Sequence, residues 1–131
     1  MPFAKRPALL YSNSTDDFEV LSAWLGELGI PLLTMTEPAQ TVRAAQESGC
    51  PLVLMDLEDQ PGWQTMLRHL RRLAPATEVV VYTRCAEVNT WLDALEAGAY
   101  DLLWKPFSRT ELERVLAGLR RQRLQARPAA A

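Results

Sequence analysis

Residues 51–56 read Pro51-Leu52-Val53-Leu54-Met55-Asp56. Four successive apolar residues leave no face for water, which is the pattern of a strand buried on both sides in a parallel sheet. The run closes on a carboxylate. Two stretches downstream repeat the arrangement: Val79-Val80-Val81-Tyr82 closes on Thr83, and Leu102-Leu103-Trp104 closes on Lys105-Pro106. Upstream, Ala8-Leu9-Leu10-Tyr11 runs into Ser12 and Asn13, and Ile30 to Met35 forms a further apolar run.

Between these runs the period changes from strand-like to helical. Ser14 and Thr15 are N-cap candidates with Asp16 and Asp17 in the first turn, where negative charge meets the positive end of the helix dipole. Phe18, Leu21, Trp24, Leu25 and Leu28 follow at helical spacing, and Gly29 stops the helix. A weaker Ala-rich helix is expected from Pro38 to Glu47, ended by Gly49. A third carries Met66, Leu67, Leu70 and Leu73. A fourth carries Val88, Trp91, Leu92 and Leu95 before Gly98. The last carries Leu112, Val115, Leu116 and Leu119 behind a Ser108-Arg109-Thr110-Glu111 capping box. Five strands alternating with five helices predict an α/β chain: a parallel sheet covered on both faces, a three-layer sandwich. Sites in such folds lie beyond the carboxyl ends of the strands.

The 131 residues suffice for one domain, and 48% apolar with 23% charged residues describes a globular chain rather than a disordered one. No apolar run reaches the ~20 residues of a membrane span. The N-terminus lacks the long apolar segment of a secretory signal, so a cytoplasmic location is expected. A net charge of -2 argues against a nucleic-acid module and hides an asymmetry. Residues 1–66 carry three basic and nine acidic groups, and residues 67–131 carry eleven basic and seven acidic ones. Two cysteines and one histidine do not make a four-ligand zinc site. Cys50 and Cys85 fall at opposite ends of the sheet and are expected as free thiols, and His69 has no partner that suggests catalysis. The six glycines form no Gly-x-Gly, so neither a dinucleotide fingerprint nor a P-loop exists. With no nucleophile–base pair either, a small hydrolase or oxidoreductase is not expected, and the chain is not read as an enzyme.

The strand ends carry the chemistry. Asp56, Thr83 and Lys105 converge on one edge with Ser12 and Asn13. A carboxylate beside a hydroxyl and an ammonium suits acyl-phosphate chemistry, the first as acceptor and the others as binders of phosphoryl oxygens.

These residues also carry a resemblance. Pro51–Asp56, Glu78–Thr83, Ala97-Gly98-Ala99-Tyr100-Asp101-Leu102-Leu103-Trp104-Lys105-Pro106-Phe107 and the helix start at Ser108 resemble bacterial two-component receiver domains, over about residues 7–122. The resemblance implies a flavodoxin-like fold with sheet order 2-1-3-4-5 and Asp56 as phosphoacceptor for a histidine kinase or phosphotransfer protein. It implies Thr83 and Lys105 as phosphoryl contacts and a cis bond before Pro106. It implies output, homodimerisation included, through the face of the fourth helix, fifth strand and fifth helix. The receiver is expected over residues 1–124, with 125–131 a flexible tail or the start of a linker.

The departures from that family define an atypical member. Two adjacent acids that hold Mg²⁺ in the family fall on Ser12 and Asn13, which leaves Asp56 and Asn13 as donors to a weak Mg²⁺ site at best. Glu58 is a candidate substitute acid. Arg84 stands where a small residue is usual, and a bidentate pair with Asp56 is expected of it as a replacement cation. Leu102 stands where the family often has a switch aromatic. Trp91 and Trp104 suggest an apolar docking patch near it. The alternative reading is a phosphorylation-independent pseudo-receiver that acts as an interaction or dimerisation module.

Overall fold

The computed structural model describes residues 6–58, 60–84 and 87–130, the last eight of these by backbone only. The strands are β1 (Ala8–Tyr11), β2 (Leu32–Met35), β3 (Leu52–Asp56), β4 (Glu78–Thr83) and β5 (Asp101–Trp104). The helices are α1 (Thr15–Glu27), α2 (Pro38–Ser48), α3 (Trp63–Leu73), α4 (Val88–Glu96) and α5 (Arg109–Ala130). All strand pairs are parallel, in the order β2-β1-β3-β4-β5. The fold is the expected flavodoxin-like sandwich, with β3 at its centre.

Side-chain alternation divides the core in two. Leu9, Val53, Met55, Val79, Val81 and Leu102 face α2, α3 and α4. Leu10, Leu54, Val80, Tyr82 and Leu103 face α1 and α5. Every residue of β3 is buried, as its unbroken apolar pattern requires. β2 begins at Leu32 rather than Ile30. Ile30 is buried but belongs to the turn, where its N–H donates to Leu25 O, and Pro31 has no N–H for a ladder.

Local signals place the helix starts. The Ser14 hydroxyl accepts the Asp17 N–H at 3.1 Å, and the Ser108 hydroxyl accepts the Glu111 N–H at 3.2 Å. Gly98, at φ 107°, ends α4 where an added Cβ would lie 2.7 Å from Arg71 Cγ. Arg71 in turn donates to Thr77 O and pairs with Glu78 at 3.2 Å. The close approach explains the glycine of Ala97-Gly98-Ala99: the turn after α4 passes against the last turn of α3 there. α5 runs to Ala130, through the segment read from sequence as a tail. Gln125, Ala126 and Arg127 of that segment are good helix formers, and Pro128 is not. No described helix is long and apolar enough to cross a membrane. Cys50 is buried, its sulfur 3.9 Å from the Thr77 hydroxyl oxygen, whereas Cys85 lies outside the described residues.

Candidate functional site

The alternation that splits the core also sorts the strand ends. Ser12 continues the even set of β1, Asp56 that of β3, and Tyr82 pairs with Asp56 in register. Lys105 continues the set of Leu103, which pairs with Tyr82. Four polar groups thus line up on the α1/α5 side of the edge, while Thr83 and Trp104 fall on the α4 side.

Asp56 is 4% exposed, and both its oxygens are occupied. Oδ2 accepts the Ser12 hydroxyl at 2.7 Å, and Oδ1 accepts the Glu58 N–H at 2.9 Å. The Ser12 hydroxyl also accepts the Ser14 N–H at 3.0 Å, which ties the β1–α1 turn to the carboxylate.

Lys105 does not turn to Asp56. Its ammonium donates to both oxygens of Asp17, at 2.9 and 2.8 Å, and stands 5.4 Å from the centre of the Tyr82 ring. The Tyr82 hydroxyl donates to Asp17 Oδ2 at 2.9 Å. Burial holds the Tyr82 phenol well above its ordinary range, with the Asp56 and Asp17 charges acting in the same direction and a Ser12 contact opposing them. Phe107 packs edge-on against Tyr82 and Trp24, with ring centres 5.7 and 6.1 Å away, and closes this corner from the β5–α5 side.

On the other flank, Glu58 Oε1 accepts the Arg84 N–H at 2.7 Å and lies 3.4 Å from the Thr83 hydroxyl. Glu58 therefore belongs to the site. The expected Arg84–Asp56 pair does not form: among the described residues Asp56 has no ion-pair partner, and Arg84 contributes its backbone N–H. The chain geometry after Thr83 gives that N–H to Glu58. A recess of about 300 Å³ opens between Asn13, Ser14, Asp17, Asp56, Glu58, Arg84 and Lys105.

Leu102 is buried against Val81, Ala94, Ala97 and Ala99, as a small packing residue. Trp91 and Trp104 are 41% and 46% exposed, and Val88, Leu92 and Leu95 are exposed beside them on α4. His69 is exposed on α3.

The two residues that the sequence reading passed over are Asp17 and Tyr82. Asp17 looked complete as a first-turn acid, and Tyr82 as strand filler. The signals were present: Asp17 begins the Asp17-Leu21-Leu25 stripe that faces inward, and Tyr82 shares the parity of Lys105.

A model of the response regulator receiver domain matches residues 13–117. The chain belongs to the receiver-domain family. A curated relative, the response regulator protein PilR of Pseudomonas aeruginosa, is 29% identical over 120 residues, 87% of this chain and 26% of PilR. The receiver thus spans about a quarter of that relative. Among solved structures, the beryllofluoride-activated NtrC4 receiver domain dimer is 26% identical with a TM-score of 0.74, over 88% of this chain and 93% of that one. A response regulator from Thermotoga maritima has a TM-score of 0.79 at 19% identity, over 87% and 97% of the two chains, a likeness of fold.

The family's Mg²⁺ requires several hard anionic oxygens converging on one point. The donor set here does not fit it. Ser12 and Asn13 hold the acid positions, Asp17 is engaged by Lys105 and Tyr82, and Glu58 by Arg84 and Thr83. Among the described residues no three His, Cys, Asp or Glu side chains are grouped to hold a metal ion.

Proposed function

We propose that this receiver accepts a phosphoryl group on Asp56 from a histidine kinase or phosphotransfer protein. One observation carries the reading: the carboxylate sits at the end of the central strand, buried, held by Ser12 and Glu58, and open to the recess that Lys105 and Arg84 also line. An Asp56 oxygen attacks phosphorus, the donor's N–P bond breaks, and an acyl phosphate forms as the imidazole leaves. The Ser12 hydroxyl and Glu58 N–H stay on as donors. With no acid pair to recruit a divalent cation, the new charge falls to Lys105 and Arg84.

The output is assigned to the α4–β5–α5 face, where Trp91, Trp104 and the exposed α4 residues form an apolar patch suited to a partner or a second copy. The NtrC4 receiver, solved as a dimer, is a precedent for pairing in the family.

A second reading is a phosphorylation-independent module, in which the engagement of Lys105 with Asp17 would complete the pocket without a phosphate. Incubation with a small phosphodonor, read by intact mass, separates the two. One added phosphoryl group that is absent from Asp56→Ala supports the first reading. No adduct supports the second.

A further inference from the structure

We propose that Asp17 is an internal anion that occupies Lys105 until a phosphoryl group on Asp56 displaces it. This deepens the phosphoacceptor reading and rests on it. Asp17 is thereby a positioning residue acting through Lys105.

The geometry is that of a held group. Both Asp17 oxygens accept from the ammonium, and the Tyr82 hydroxyl fixes the carboxylate from behind. The two side chains are 16% and 15% exposed, so solvent screens the pair far less than a surface ion pair. Tyr82 is fully buried and its phenol stays protonated, so its donor is permanent. Asp17 is itself pinned by its backbone N–H on Ser14, which fixes the carboxylate at the start of α1.

The same pair is placed to be broken. Lys105, Asp17 and Asp56 line one recess. An ammonium has three N–H donors, and two are committed to Asp17. The third is available to a phosphoryl oxygen. A dianionic phosphoryl group then competes with a single carboxylate for the same cation, and charge decides the contest. With Ser12 and Asn13 at the first-strand end, Asp17 is the carboxylate that pairs with Lys105. The competition is therefore between one internal anion and one incoming one.

The chain contains two lysines, Lys5 and Lys105, so lysine chemistry reads the pair directly. Full-length protein is reductively methylated with ¹³C-formaldehyde, and each ε-amine is followed by NMR, with Lys5 as the internal reference. Relative to Lys5, Lys105 is expected to react about tenfold faster in Asp17→Asn than in the wild type, the effect of losing one charge-assisted contact. Tyr82→Phe, which keeps both charges, is expected to give a smaller increase. Phosphoramidate treatment is expected to label Asp17→Asn faster than wild type, and to return Lys105 of that variant to slow methylation. Equal Lys105 reactivity in wild type and both variants, each folded by circular dichroism, overturns the inference whatever the phosphorylation result. Unequal reactivity with no phosphoryl adduct in any protein overturns the displacement and the Asp56 reading together, and leaves the Asp17–Lys105 pair standing.

Discussion

The Ser12 hydroxyl donates to Asp56 Oδ2 at 2.7 Å, across the gap between β1 and β3. A serine at the end of β1 thus meets the central carboxylate as a donor, where an acid would meet it as a like charge. The substitution removes a repulsion that a divalent cation otherwise offsets.

Ser12→Ala is expected to destabilise the fold by about 1–3 kcal/mol, the cost of leaving a buried charged acceptor short of a donor. Urea unfolding with an unchanged slope is the measurement. The double variant Ser12→Asp/Asn13→Asp is expected to lose more stability in EDTA and to regain it in millimolar Mg²⁺. The wild-type midpoint is expected to be indifferent to Mg²⁺.

Tyr82 predicts an alkaline signature. Burial raises its phenol above the ordinary 10.0, so the folded chain keeps a proton that the unfolded chain releases above about pH 10. The unfolded state then binds fewer protons, and stability falls as pH rises, by up to ~1.36 kcal/mol per pH unit for one group. Tyr11, also raised by burial, adds in the same direction. Tyr82→Phe is expected to flatten the fall without abolishing it, in denaturation curves taken from pH 8 to pH 11.

Gly98→Ala combines a disfavoured backbone angle with a contact of 2.7 Å to Arg71 Cγ. It is expected to cost about 1–3 kcal/mol. Adding Arg71→Ala relieves the contact but not the angle, so the double variant is expected to recover part of the loss in the same unfolding assay.

If the α4–β5 patch is a docking surface, charge placed on it is felt in association and not in folding. Trp91→Glu and Trp104→Glu are expected to cost no more than about 1 kcal/mol of stability in thermal unfolding, because each side chain is only about half buried. In sedimentation runs, any concentration-dependent dimer is expected to weaken in both variants.

Much of this fold is legible in the sequence, because burial on both faces writes an unbroken apolar run. Leu52 to Met55 and Val79 to Tyr82 announce a parallel sheet, and Ser14, Ser108 and Gly98 punctuate the helices. The sheet order came from the receiver resemblance, since local pattern does not say which strand lies beside which. At the site, position along the strand places Asp56, Thr83 and Lys105 together, but partner choice is not a local property. Lys105 pairs with a residue 88 positions earlier, on a helix whose first-turn acid already had a local explanation. Arg84 misled for a related reason: its charge suggested a partner for Asp56, whereas its backbone N–H is what reaches into the site, onto Glu58.

The most direct measurement is the intact mass of wild type and Asp56→Ala after exposure to phosphoramidate, in EDTA and across a range of Mg²⁺. The account predicts one added phosphoryl group on wild type, to the same extent in EDTA and in Mg²⁺, and none on Asp56→Ala. No adduct under any condition, or an adduct that forms only in Mg²⁺ or persists in Asp56→Ala, would contradict it.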